Sequence, residues 1–264
     1  MSMNRFWGIV YSMVDRSDVV LEVVDARFPS ICRSSRLEEY VLSQDHCNLV
    51  ICLNKTDLIS RDLLDRWLKW FADQDFIATG VSAAKRLGTS RIRQVLLRAS
   101  KRKTAVVAVV GFPNTGKSSL INTLRGKAAA GVAPIPGKTR GEQKIKVSNS
   151  LFMFDTPGII PAQLPEKHRI LLGLDPITKL EDPEHAAMLL FSQAEELNPG
   201  AVTRYYGIEA NADDFLENLA RARNKLLKGN RPDERAAALI FLSDHVRGVL
   251  PIYEDPARPL RLSR

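Results

Sequence analysis

Short apolar runs, each ended by polar or glycine residues, recur through the first part of the chain with helical-looking stretches between them. That pattern predicts the strands of a mostly parallel sheet. The first run covers residues 19–24 (VVLEVV) and ends at Asp25-Ala26-Arg27; the second covers 49–53 (LVICL) and ends at Asn54. A weaker third, 76–79 (FIAT), precedes Ser82, and a fourth, 105–110 (AVVAVV), runs directly into Gly111. Between the second and third, Leu63, Leu64, Trp67, Leu68 and Phe71 recur at helical spacing and predict one packed face, with Trp67 and Trp70 as core or half-buried helix residues. Residues 119–125 predict a helix. Residues 144–147 and 151–154 predict two more strands joined by the turn-like Ser148-Asn149-Ser150, the second ending at Asp155-Thr156-Pro157-Gly158.

Beyond Gly158 the texture changes. Pro161, Pro165, Pro176 and Pro183 punctuate a stretch without strand pattern, and from Glu184 onward only helices are predicted, over 185–197, 201–206, 213–227 and 233–246. A boundary near Asp182 follows, giving an α/β domain over 1–182, with helices on both faces of its sheet, and a small all-α domain over 183–264. The proline-containing end from Pro251 reads as a loosely held tail. At 264 residues the chain has length for two such cores.

Composition fits folded domains, with 45% apolar and 26% charged residues. No run approaches membrane-spanning length and no signal-peptide core opens the chain, so a cytoplasmic location without membrane contact is expected. Cys32, Cys47 and Cys52 are odd in number and form no C-x-x-C pair, which predicts buried or idle thiols. The net charge of +8 is uneven: no Asp or Glu lies between Asp75 and Glu142. Lys85, Arg86, Arg91, Arg93, Arg98, Lys101, Arg102 and Lys103 concentrate there, as a solvated helix face or as a surface for nucleic acid.

The chemistry sits at strand ends. Residues 111–118 (GFPNTGKS) fit G-x-x-x-x-G-K-[ST] after a buried strand and before a helix, where backbone N–H groups can wrap phosphates. Gly116 lets the backbone approach, Lys117 suits the β- and γ-phosphates, and Ser118 offers a hydroxyl to Mg²⁺, with Asn114, Thr115 and Ser119 alongside as nucleotide contacts. This loop does not choose a base. Asn54-Lys55-Thr56-Asp57 does: the Asp57 carboxylate can accept the two N–H groups of guanine's Watson–Crick edge, Asn54 can brace neighbouring loops, and the Lys55 stem can cover the base. Ser82 and Ala83, ending the third strand, complete the base end. Asp155 can hold Mg²⁺ through water, the Gly158 N–H can meet the γ-phosphate, and Thr139 can bring a hydroxyl to the metal from a mobile loop. Lys117, Thr139 and Gly158 are accordingly the candidate catalytic residues.

Guanine nucleotide domains ordinarily run phosphate loop, Thr loop, D-x-x-G, N-K-x-D, S-A. Here N-K-T-D and S-A-A come first. Together with Asp25-Ala26-Arg27-x-Pro29, G-F-P-N-T-G-K-S-S, P-G-K-T-R and D-T-P-G-I, this order resembles the circularly permuted GTPases of the YlqF/YawG type. The similarity runs on through Pro232-Asp233, Ala236-Ala237, Leu242, Asp244 and Arg247-Gly248. It implies a circularly permuted P-loop GTPase domain followed by a helical, RNA-binding domain, GTP and GDP as ligands, and a role with the large ribosomal subunit or its rRNA. Ile159 stands where Ras-like enzymes carry a water-orienting Gln, and Asn114 matches an asparagine that helps coordinate K⁺ in related GTPases. Bacterial members carry an N-terminal histidine motif, yet no His precedes His46, which leaves the water-activating group unassigned. His168 is expected at the surface. Two rival functions stay open: an RNA-binding module with structural nucleotide, and a GTPase acting on another RNA such as tRNA.

Overall fold

The computed structural model describes residues 3–126, 144–156, 158 and 164–260. The chain divides into two compact units, Met1–Pro161 and Ala162–Arg264. The division therefore falls ahead of the expected position at 182. Its cause is α6 (Glu166–Leu171), which packs on α7 (Pro183–Leu197), with Gln193 Nε2 donating to the Lys167 carbonyl at 2.8 Å.

The first unit is built on a six-stranded sheet of order β3-β2-β1-β4-β6-β5. Every residue of β1 (Val19–Asp25) is buried, which is why its apolar run shows no alternation. β2 (Asn48–Asn54), β4 (Ala105–Val110) and the edge strand β3 (Ile77–Gly80) join it in parallel, as β6 (Leu151–Asp155) joins β4. β5 (Lys144–Lys146) pairs antiparallel with β6. Helices α4 (Thr89–Ser100) and α5 (Lys117–Arg125) cover the face carrying Val19, Leu21 and Val23, burying Ile92, Leu96, Leu120 and Leu124 against it. On the opposite face Glu22 accepts a hydrogen bond from the Ser34 N–H, the N-cap of α2 (Ser35–Leu42), at 2.8 Å. α3 (Arg61–Ala72) is capped by Ser60 and buries Leu63, Leu64, Trp67 and Phe71, as its spacing predicts. α1 (Met3–Asp15) was not foreseen; Trp7, Val10 and Val14 recur at i, i+3 and i+7 and are buried.

Chain order runs outward from β1 to β2 and β3, then restarts at β4 on β1's other side. The crevice beyond the C-terminal ends of β1 and β4 is thus a topological switch point, where open α/β sheets bind ligands. The restart is pinned by Asp18, whose carboxylate accepts from the Val106 N–H at 2.8 Å and pairs with Arg102 at 2.7 Å.

The second unit packs α7 and α10 (Glu234–Arg247) with α8 (Ala201–Tyr206) and α9 (Phe215–Ala222) around Phe191, Phe215 and Phe241; Phe191 stacks on Phe215 at 4.1 Å between ring centroids. Asp182 and Asp233 cap α7 and α10 through the His185 and Ala236 N–H groups. The unit is not wholly helical. The helix expected over 213–227 stops at Ala222, and a hairpin of β7 (Leu226–Leu227) and β8 (Arg231–Pro232) follows, turning through Gly229 and Asn230 at positive φ. His168 is buried here, not exposed, and burial lowers its pKa. No described helix is long and apolar enough to cross a membrane. All three cysteines are buried; burial pushes the Cys47 thiol up to about 11.

Candidate nucleotide site

The glycine-rich loop leaves β4 and enters α5. Gly111 sits at φ 140°, and a side chain there would meet the Val23 carbonyl oxygen at 2.3 Å, so the loop starts against the end of β1. Inside it, Thr115 Oγ1 donates to the Phe112 carbonyl at 2.9 Å. Lys117 Nζ donates back to the carbonyls of Gly111 and Phe112 at 2.9 and 2.8 Å. Burial draws the Lys117 pKa down to about 8, against the opposing pull of the Asp155 charge. Gly116 precedes α5 with no side-chain cap, which leaves the helix's first N–H groups available to an anion. Asn114 is exposed at φ 63°, a conformation asparagine tolerates, and Ser118 and Ser119 are exposed in the first turn of α5.

Asn54 links this loop to the 82–83 segment. Its side chain is buried; Nδ2 donates to the Thr115 carbonyl at 2.8 Å and Oδ1 accepts from the Ala83 N–H at 3.0 Å. One amide therefore bonds two loops that lie far apart in sequence. Gly116 has to be glycine for the same reason, since a Cβ would stand 2.3 Å from Asn54 Nδ2 at φ 92°. The Thr56 N–H donates to the Val81 carbonyl at 3.1 Å, and Ser82 Oγ accepts from the Lys85 N–H at 3.0 Å. Asp57 lies in the 3₁₀ turn Thr56–Leu58 with its side chain exposed.

At the phosphate end, Ser118 Oγ donates to Asp155 Oδ2 at 3.2 Å, so a hydroxyl and a carboxylate converge where β6 ends beside α5. Thr156 holds that strand end to β4, its Oγ1 donating to the Val109 carbonyl at 2.7 Å. Gly158 approaches the phosphate loop so closely that a Cβ would stand 2.9 Å from Pro113 Cγ. Thr139 and Ile159 lie outside the described residues.

Asp25 and Arg27 of the Asp25-Ala26-Arg27 run have no place in the site from the motifs alone. Both are buried, and Asp25 bonds Arg27 and Lys55 together. Of the basic run, Arg102 is taken up by Asp18 and Arg93 bonds the Leu124 carbonyl. Lys85, Arg86, Arg91, Arg98, Lys101 and Lys103 are exposed and have no carboxylate partner among the described residues.

A family model described as a 50S ribosome-binding GTPase matches residues 106–219. The match begins in β4 just ahead of the phosphate loop and leaves N-K-T-D outside it, as permutation requires. "Nucleolar GTP-binding protein 2" of Pneumocystis carinii is 34% identical over 97% of this chain, and that of Saccharomyces cerevisiae 34% over 96%. Each match takes in 54% of the relative, so the chain spans about half the length of these proteins. GNP-bound YlqF from T. maritima superposes with a TM-score of 0.66 at 26% identity, covering 96% of this chain and 98% of that one. GDP-bound TM YlqF gives 0.68 at 27%, covering 94% and 99%. The nucleolar name of the relatives overturns the cytoplasmic location expected above; apolar run length and cysteine pairing carry no information on nuclear sorting. The motif order, the crevice between β1 and β4 and the likeness over nearly the whole of YlqF agree, and the chain is similar in fold and motif order to the circularly permuted GTPases of the YlqF type.

Proposed function

We propose that this chain binds and hydrolyses GTP as a nucleotide-dependent switch in assembly of the large ribosomal subunit, acting through rRNA in the nucleolus. The observation that carries the reading is Asn54, whose one side chain ties the phosphate loop at Thr115 to the base end at Ala83, so that triphosphate and guanine recognition share a single rigid crevice. In this reading Asp57 pairs with the guanine edge, with Lys55 and the 82–83 segment beside it. Lys117 gives up its loop carbonyls for the β- and γ-phosphates, and the Gly158 N–H meets the γ-phosphate. The Ser118 hydroxyl and Asp155 carboxylate form an all-oxygen donor pair of the kind Mg²⁺ takes, to which Thr139 adds its hydroxyl. Bound there, Mg²⁺ neutralises phosphate charge. Asn114 is assigned to K⁺. Ile159 has no hydrogen-bonding group with which to orient water, so the chain's own contribution to turnover is positioning of the phosphates.

The partner follows from charge. The exposed cations along α4 and its flanking turns suit a phosphate backbone, and the second unit supplies a further RNA surface through Lys225, Lys228 and Arg231 on its hairpin. GTP turnover in Na⁺ and in K⁺, with and without large ribosomal subunits, tests the switch, together with RNA affinity in the GTP, GDP and nucleotide-free forms. Stimulation by subunits and nucleotide-dependent affinity support it. Turnover indifferent to subunits and affinity equal in all three forms would leave an RNA-binding module with structural nucleotide. Crosslinking to total cellular RNA decides the target: recovery of tRNA in place of rRNA redirects the reading.

A further inference from the structure

Asp25 ends β1, and the parallel register sets it against Asn54, the residue before Lys55. Its carboxylate is buried and fully engaged. Oδ1 accepts from the Arg27 backbone N–H at 3.0 Å and from Arg27 Nε at 3.1 Å. Oδ2 accepts from Arg27 Nη2 at 2.9 Å and from Lys55 Nζ at 2.8 Å. Burial opposes a charge at this place, but Arg27 and Lys55 outweigh it and hold the Asp25 carboxyl well below the usual carboxylate range. Buried ion networks add little net stability over apolar packing, so this one needs an account in what it positions.

What it positions is Lys55. The backbone there is left-handed, at φ 65° and ψ 35°, a conformation lysine seldom adopts. A lysine side chain ordinarily carries more rotamer freedom than almost any other. Here the backbone fixes one end and Asp25 the other, and the side chain keeps about a quarter of its surface exposed. Arg27 serves the same end from the far side, keeping the carboxylate charged and turned toward Lys55.

We propose that Asp25 is a positioning residue for guanine nucleotides: by anchoring the Lys55 ammonium it presets the Lys55 stem as the surface on which the base plane packs. The proposal rests on the GTP-binding reading above. The preset stem spares the nucleotide the cost of ordering Lys55, and because the base is common to GTP and GDP, both gain equally. The phosphate end gains nothing.

The test is equilibrium titration of fluorescent GDP into wild-type protein, Asp25→Asn, Lys55→Met and the double variant, with tripolyphosphate as a competing probe that has no base. Asp25→Asn is expected to bind GDP about tenfold more weakly, the size of a freed lysine side chain, and tripolyphosphate as wild type does. The double variant should bind as Lys55→Met alone does, since Asp25 acts through Lys55. Wild-type GDP affinity in Asp25→Asn, or losses that add in the double variant, would overturn the assignment and leave Asp25 as a counter-ion for Arg27. Should Asp25→Asn fail to fold, Lys55→Met carries the test alone, because it keeps an aliphatic stem and the Asp25–Arg27 pair and removes only the anchor. Wild-type affinity in Lys55→Met overturns the proposal. Wild-type protein that takes up neither GDP nor GTP overturns the nucleotide reading itself, a result visible before any variant is made.

Discussion

Replacing Asn54 by alanine removes two hydrogen bonds from a side chain that is 1% exposed, and strands the Thr115 carbonyl and the Ala83 N–H inside the crevice. Each stranded buried group costs roughly 1–3 kcal/mol, so the pair costs about 2–6 kcal/mol, with about 4 kcal/mol the central expectation. That is a large share of the roughly 5–15 kcal/mol that holds a domain together. With a urea dependence of about 1–3 kcal/mol per molar, the unfolding midpoint should fall by about 1–4 M. Asn54→Asp separates the specific link from lost volume. Aspartate keeps an acceptor for the Ala83 N–H but turns a second oxygen toward the Thr115 carbonyl, so it should not restore the midpoint. Both variants should also bind GDP more weakly, because the phosphate loop and the base end are no longer held in register. An unchanged midpoint in Asn54→Ala, or an Asn54→Asp protein as stable as wild type, would refute the reasoning.

Three further outcomes are expected. Asp57→Asn exchanges a carboxylate for an amide at the guanine edge and should move preference toward xanthine nucleotides; retained preference for GTP in competition binding would undo that residue's assignment. Gly116→Ala introduces a Cβ 2.3 Å from Asn54 Nδ2 and strains a left-handed backbone by about 1–2 kcal/mol, so GDP affinity should drop even where circular dichroism shows an intact fold. Glu22 is fully buried; burial first, and the Glu38 charge second, raise its pKa well above the ordinary value. The folded state therefore keeps a proton that the unfolded chain releases, and the stability it confers is present below the ordinary carboxylate range and lost as pH rises through the raised pKa. Glu22→Gln should flatten that slope in urea unfolding across pH; a slope identical to wild type would count against the buried acid.

The strands were legible where burial on both faces left unbroken apolar runs, as in β1 and β4. β3 was faint because it is an edge strand with Ile77 at 46% exposure, so little selects for its pattern. The hairpin of β7 and β8 was invisible for a related reason: Leu226 and Leu227 are apolar but exposed, and their run reads as the end of a helix. At the candidate site, motif and strand position brought Asn54 and Lys117 forward because each sits in a short run at the end of a buried strand. Asp25 escaped because its partner, Lys55, reaches it only through the register of β1 with β2. The cysteine and tryptophan expectations held because burial alone decided them.

The sheet order has a consequence for synthesis. Read in the direction of translation, β1, β2 and β3 with N-K-T-D emerge before β4 and the phosphate loop. β1 lies between β2 and β4, so until β4 arrives one of its edges has no partner for its backbone hydrogen bonds. A nascent chain halted ahead of Ala105 would hold half a ligand site and an open strand edge. Arrival of β4 closes the edge and forms the crevice between β1 and β4 together, so pairing of the central strand and assembly of the switch point become one event.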